Sequence, residues 1–196
     1  EVATEQIKKG TQLLATGDMG IGNTTPSTAV LAAFTGFPVD LITGKGTGID
    51  CDAMRRKARI VQQALDVNKP DARDGLDVLA KVGGFEIGGI AGVILGAAAS
   101  RVPVVIDGFI SGAGAMIARA LAPRSVDFVI ASHLSEEPGH KTMVTWLGVS
   151  PMLNMNMRLG EGTGAALSFT IIDAALKIVR EMATYDEAGV SDTGLR

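Results

Sequence analysis

The chain has 196 residues, a formal net charge of −3, 46% apolar residues and 20% charged ones, which suits one soluble domain with a sizeable core and excludes disorder. Mild acidity and an aromatic content of 4% exclude the basic footprint and the stacking platforms that nucleic acid requires, so no nucleic acid is expected as a partner. The single cysteine, Cys51, excludes an internal disulfide and a thiolate zinc site and points to a reducing, cytoplasmic compartment.

Glu1–Lys9 reads as the tail of a helix. Its acidic, polar start is no signal peptide, and without an initiator methionine the chain reads as a processed piece or the latter part of a longer protein. Gln12–Thr16 is a short strand. A glycine-rich run, Gly17-Asp18-Met19-Gly20-Ile21-Gly22-Asn23-Thr24-Thr25, then leads into a helix over Pro26–Phe34, with proline in its first turn. A turn at Gly36-Phe37-Pro38 precedes a second run, Gly44-Lys45-Gly46-Thr47-Gly48-Ile49-Asp50. That run opens a long helix, Asp52–Asn68, with a basic face of Arg55, Arg56, Lys57 and Arg59.

Helices follow over Gly75–Val82 and Ile87–Ser100. The second is charge-free for 14 residues, short of the roughly 18 that span a bilayer, so no membrane segment is expected. Its Gly88, Gly89, Gly92 and Gly96 predict close packing between a sheet and another helix. Val102–Ile106 is the clearest strand, β-branched and apolar; Phe128–Ala131 and Met152–Met157 are two more. Ser132–His140 is too polar for a core and reads as a cleft loop opening a helix. Gly160-Glu161-Gly162-Thr163-Gly164 precedes a closing helix from about Ala165 to Met182, and the polar tail after Ala183 frays or docks on a partner.

Strands alternate with helices, and the strands read as buried on both faces. This predicts an α/β fold: one domain over residues 1–196, with a Rossmann-like, mostly parallel sheet flanked by helices and a ligand cleft at the carboxyl ends of the strands. Several glycine runs fall on that edge, as does Asp107-Gly108 after the clearest strand. Glycines either make tight turns or let the backbone approach an anion, and their clustering on one edge favours a phosphorylated ligand. The sequence holds no G-x-G-x-x-G, no G-x-x-x-x-G-K-[ST] and no G-x-S-x-G. Val104-Val105-Ile106-Asp107 is similar to the strand end of diphosphate-dependent phosphoribosyltransferases but lacks their second, magnesium-holding acid.

Asp18, Asp107 and Glu161 stand inside glycine loops. Such acids either hold backbone amides or serve as a general base or a ribose ligand. Glu161, between two glycines, is the better base, with partial desolvation expected to raise its pKa. Lys57 either contacts phosphate or only solvates its helix. His133 and His140 read as local hydrogen-bonding groups rather than metal ligands, and no metal or cofactor is expected. Met152, Met155 and Met157 are either core or the lining of a flat apolar pocket.

The runs Gly17–Thr25, Gly46–Asp50, Asp107-Gly108-Phe109, Ser132–His140 and Arg158–Ala165 together resemble the nicotinate-nucleotide:dimethylbenzimidazole phosphoribosyltransferase family of cobalamin lower-ligand biosynthesis. The resemblance runs in order through nearly the whole chain, which is similar to the latter, larger part of family members. It implies that phosphoribose passes from nicotinate mononucleotide to a benzimidazole nitrogen with inversion, giving α-ribazole 5′-phosphate and nicotinate. It makes Glu161 the base and puts Asp18, where the family often has glutamate, near the nicotinate and ribose. It places phosphate among Gly20, Gly22, Asn23, Thr24, Thr25, Gly46, Thr47, Gly48, Lys57 and Ser135, and the acceptor ring against Leu159. Asp107 and Gly108 are also expected at the substrate. A homodimer is expected, from the glycine-rich and closing helices and from the resemblance. The alternatives are a relative serving phenol, adenine or another benzimidazole, a non-catalytic nucleotide-binding subunit, or a nicotinamide-cofactor dehydrogenase.

Overall fold

The computed structural model describes residues 1–190. Helix α1 (Val2–Lys8) leads to strand β1 (Leu14–Ala15), then α2 (Thr24–Thr35), a single turn α3 (Val39–Ile42), α4 (Cys51–Asn68), α5 (Gly75–Val82) and α6 (Phe85–Ala99). Strand β2 (Val104–Ile106), α7 (Phe109–Leu121) and a 3-10 segment over Pro123–Phe128 follow. Then come β3 (Val129–Ala131), β4 (His133–Ser135), α8 (His140–Leu147), β5 (Leu153–Met157) and α9 (Thr163–Glu181).

Three strands form a parallel sheet in the order β1-β2-β3, pairing Leu14 with Val104 and Ile106 with Ala131. β4 and β5 form a second parallel pair. Only Ser132 separates β3 from β4, and it joins the two pairings. Its N–H donates to the Ile106 carbonyl at 3.1 Å, and its own carbonyl accepts from Leu153 N–H at 2.9 Å. The expected parallel α/β layering is present, but burial on both faces holds only for β2. β1 and β5 are largely open. Met152 and Met155 are exposed, so these methionines are neither core nor cleft lining.

The core is built on α7. Every residue from Phe109 to Ala118 is buried, with Met116 and Ile117 fully so, each contributing on the order of 1.5–3 kcal/mol. No helix is among those read from the sequence here: Ser111-Gly112-Ala113-Gly114 has weak helix propensity, although Phe109, Ile110, Ala113, Met116, Ile117 and Leu121 recur at helical spacing. Gly114 lets α6 settle onto it: a Cβ there would lie 2.7 Å from Ile90 Cβ.

α6 rests on α7 and α1, and its glycines divide. Gly88 faces Leu79 and Gly96 faces Ala3 and Thr4, whereas Gly89 and Gly92 are exposed with open space where a Cβ would stand. The close packing expected of the glycines therefore fails at those two. Asp50 caps α4, accepting from Ala53 N–H at 2.7 Å, and within this helix Lys57, Ala58 and Val61 turn inward while Arg55, Arg56 and Arg59 stay in solvent. α9 buries only Gly164, Ala165 and Ser168. No helix among the described residues is long and apolar enough to cross a membrane. Of the tail after Ala183, Thr184–Val190 forms an exposed turn; 191–196 lie outside the described residues.

Candidate active site

A cleft of about 490 Å³ opens where the carboxyl ends of the parallel strands meet. Asp18 to Ile21 enter it after β1, Asp107 to Ser111 after β2, Ser135 and Glu137 at and beyond the end of β4, and Arg158 to Glu161 after β5. Thr24, Gly46 and Thr47 close one side, where a smaller pocket of about 270 Å³ continues past Gly20, Gly22, Thr25 and Lys57. The cleft and this side pocket thus gather nearly all the residues singled out from the sequence; Asn23 and Gly48 line neither.

Lys57 is 8% exposed, and the solvated-face reading of this residue does not hold. Its ammonium donates to Thr24 Oγ1 at 2.8 Å and to the Gly44 carbonyl at 3.1 Å. Burial pushes the ammonium down from its ordinary pKa, opposed by the nearby Glu137 carboxylate. A Cβ on Gly46 would stand 2.9 Å from Thr24 Oγ1, so the glycine keeps this cationic corner accessible. A desolvated ammonium beside the Thr24 hydroxyl at the edge of the side pocket suits a phosphate dianion.

Asp18 is half-buried, and its carboxyl is raised by desolvation and by Glu86, against a hydrogen bond from the Asn23 side chain. That side chain also donates to the Met19 carbonyl at 2.9 Å, so Asn23 braces the Asp18 loop. Glu161 is exposed at the cleft mouth; the partial desolvation expected of it is absent from the open cleft. Its backbone is left-handed, φ 58°, between Gly160 at 76° and Gly162 at 77°. Leu159 is 61% exposed and, with Met19 and Ile21, gives the mouth an apolar rim.

Asp107 lies beneath the cleft at 2% exposure, with both carboxylate oxygens engaged by backbone N–H groups. Ser132, His133, Ser135 and His140 are also buried, which corrects the reading of this stretch as too polar for a core, while His133, Ser135 and Glu137 do line the cleft and a helix does open at His140. The polarity of the four buried residues is satisfied internally only in part, since the Nε2 atoms of His133 and His140 are buried without a hydrogen-bond partner. Ser132 Oγ donates to the Asp107 carbonyl at 2.8 Å and lies 3.0 Å from His133 Nδ1. His140 Nδ1 accepts from Ser135 N–H at 2.8 Å. Burial lowers the pKa of both rings, that of His140 to about 3 with the neighbouring His133 adding to the effect. Both histidines are therefore neutral at pH 7. Among the described residues no group of three or more His, Cys, Asp or Glu side chains is arranged to hold a metal ion.

Sequence reasoning passed over Arg158 and Ile110 as cleft-lining side chains. Arg158 follows β5 directly, and a strand end at the cleft edge was the signal available for it.

A family model described as a phosphoribosyltransferase matches residues 1–190. The chain belongs to this phosphoribosyltransferase family. A relative from Desulforamulus reducens, named nicotinate-nucleotide–dimethylbenzimidazole phosphoribosyltransferase, is 61% identical over 95% of this chain and 53% of its own length. One of the same name from Chloroflexus aggregans is 59% identical over 97% of the chain and 54% of its own length. The crystal structure of CobT from Thermus thermophilus superposes with a TM-score of 0.91 at 44% identity, covering 97% of this chain and 57% of that one. The chain spans about half the length of the curated relatives it matches.

Proposed function

We propose that the chain transfers phosphoribose from nicotinate mononucleotide to 5,6-dimethylbenzimidazole, in the manner the names of its relatives describe. The observation that carries this is one cleft with a buried ammonium corner at Thr24, Gly46 and Lys57 on one side and the Glu161 carboxylate at its mouth. In this reading the phosphate sits in the side pocket by Lys57, Gly20, Gly22, Thr25 and Thr47. Leu159 with Met19 and Ile21 offers an apolar surface to a flat acceptor ring.

The acceptor's unprotonated nitrogen attacks C1′. The bond from C1′ to the pyridinium nitrogen breaks, and its electron pair stays on nicotinate, which leaves as a neutral pyridine ring. The attacking ring becomes cationic, and Glu161 takes the proton from its other nitrogen. The cleft's main contribution is to hold the two rings on opposite sides of C1′.

Product analysis after mixing nicotinate mononucleotide with dimethylbenzimidazole tests the assignment: α-ribazole 5′-phosphate and nicotinate are expected. Phenol and adenine as competing acceptors test the alternative of another acceptor. Glu161→Gln keeps shape and removes the basic oxygen, so turnover is expected to fall by about 10²–10⁴, the usual worth of a general base, with donor affinity unchanged. Normal turnover in that variant overturns the base assignment and makes Asp18 the next carboxylate to test.

The same reading makes the protein a cytoplasmic homodimer. The lone, exposed Cys51 suits a reducing compartment, and α9 leaves Leu167, Ile171, Leu176 and Ile178 uncovered. Light scattering at micromolar concentration is expected to give twice the chain mass, and a monomer mass overturns this.

A further inference from the structure

Glu161 occupies the middle of three consecutive left-handed residues, a conformation that is strained for a non-glycine residue. Such a conformation persists only where the surroundings over-determine it. On the upstream side, Glu161 N–H donates to the Asp18 carbonyl at 2.9 Å, and Gly160 pairs with Met19 in an isolated antiparallel bridge. On the downstream side, Thr163 closes the turn on itself, its N–H and Oγ1 donating to the Gly160 carbonyl at 3.0 and 2.7 Å, and three further amides converge on one carboxylate. Asp107 Oδ2 accepts from Gly162 N–H at 3.0 Å, and Oδ1 accepts from Gly164 N–H at 2.8 Å and Ala165 N–H at 3.2 Å.

These amides include the otherwise unpaired donors of the first turn of α9, whose positive end the buried negative charge complements. The fit is tight: a Cβ on Gly164 would meet Asp107 Oδ1 at 2.9 Å and His133 Cε1 at 2.6 Å. His133 Nδ1 lies 3.7 Å from Asp107 Oδ1, and because burial disfavours its charged form the ring leaves the carboxylate to the amides.

We propose that Asp107 is a positioning residue: from the end of β2 its carboxylate clamps the amides that follow Glu161 and so holds the turn that presents the Glu161 carboxylate to the cleft. It replaces the expectation that Asp107 touches substrate, since the residue is 2% exposed and three backbone amides already hold its carboxylate. The proposal rests on Glu161 being the base, and the test separates the two.

Asp107→Asn preserves shape but turns an NH₂ group towards one set of N–H donors. Amide hydrogen exchange at Gly162, Gly164 and Ala165 is expected to accelerate at least about tenfold, with the β2–β3 ladder unchanged. Turnover is expected to fall roughly 10–100-fold with the donor KM held within about twofold, because only the transition state needs the base in place. In a Glu161→Gln background the same substitution is expected to cost less than about threefold more, as the two residues act as one unit.

Losses that multiply in the double variant, or a raised donor KM with unchanged turnover, overturn the proposal in favour of direct substrate contact. If Glu161→Gln alone has no effect, the base assignment fails while the exchange data still decide the clamp: unaltered protection overturns it. Should Asp107→Asn not fold, through-hydrogen-bond couplings from the Gly162 and Gly164 amide nitrogens to the Asp107 carboxyl carbon are expected in the unsubstituted protein. Their absence, with the β2–β3 couplings resolved, overturns the clamp.

Discussion

At Glu161, strain and chemistry are separable by substitution. Glycine adopts a φ of 58° without penalty but gains unfolded-state freedom, so Glu161→Gly is expected to stabilise the fold by a net ~0.5–1 kcal/mol. For a domain of this size that is a rise of roughly 1–4 °C in Tm. Glu161→Ala keeps the strain and is expected to leave Tm where it is. Thermal melts of the two variants side by side decide whether the conformation or the carboxylate charge is at issue; an equal rise in both points to charge. Either variant is expected to lose the activity proposed for Glu161, the pattern of a residue retained at the expense of stability.

At the scale of elements, α6 offers a test of what its glycines do. Gly89 and Gly92 lie within the helix with open space around them, so nothing in the chain's own packing requires glycine there. Gly89→Ala and Gly92→Ala are each expected to stabilise the chain by about 0.5–1 kcal/mol, read as an increase in the urea midpoint at constant m value. A loss of stability instead means that another surface closes on this face.

The elements also show where sequence legibility ended. The helix over Gly75–Val82 was legible to the residue, because Asp74 supplies a cap and the apolar spacing an inward face. α7 carried a signal that was passed over, since Phe109, Ile110, Ala113, Met116, Ile117 and Leu121 recur at helical spacing; burial of its small-residue face by α6 was what the pattern could not show. The acids in glycine loops were legible as a set. Their division of labour was not, since the groups that occupy Asp107 lie 55 to 58 residues further along the chain. Likewise Ser132 looks like a surface residue until the Asp107 carbonyl and the His133 ring beside its hydroxyl are placed around it.

For the whole molecule, the buried histidines set the acid side of stability. The unfolded chain protonates His140 near pH 6.5, while the folded chain resists until about 3. The unfolded state therefore binds more protons between these values. The contribution is whole above 6.5 and is lost as pH falls towards 3, at about 1.4 kcal/mol per pH unit. Urea unfolding is expected to show about 2 kcal/mol less stability at pH 5 than at pH 6.5 from this ring. His140→Asn, which can place an acceptor near Ser135 N–H and does not titrate, is expected to flatten that slope. An unchanged slope assigns the acid sensitivity to other groups.

The single residue between β3 and β4 bears on how chains of this kind can diverge. Strand side chains alternate faces, so one residue gained or lost at Ser132 exchanges inside for outside in everything that follows until the next loop. His133 would turn away from Asp107, and Ser135 away from the cleft, in one step. The exposed connection between α4 and α5 can absorb added residues without such a reversal. Length is therefore frozen at one point of the fold and free at the other, and insertions in descendants of this sequence belong at the helix connection.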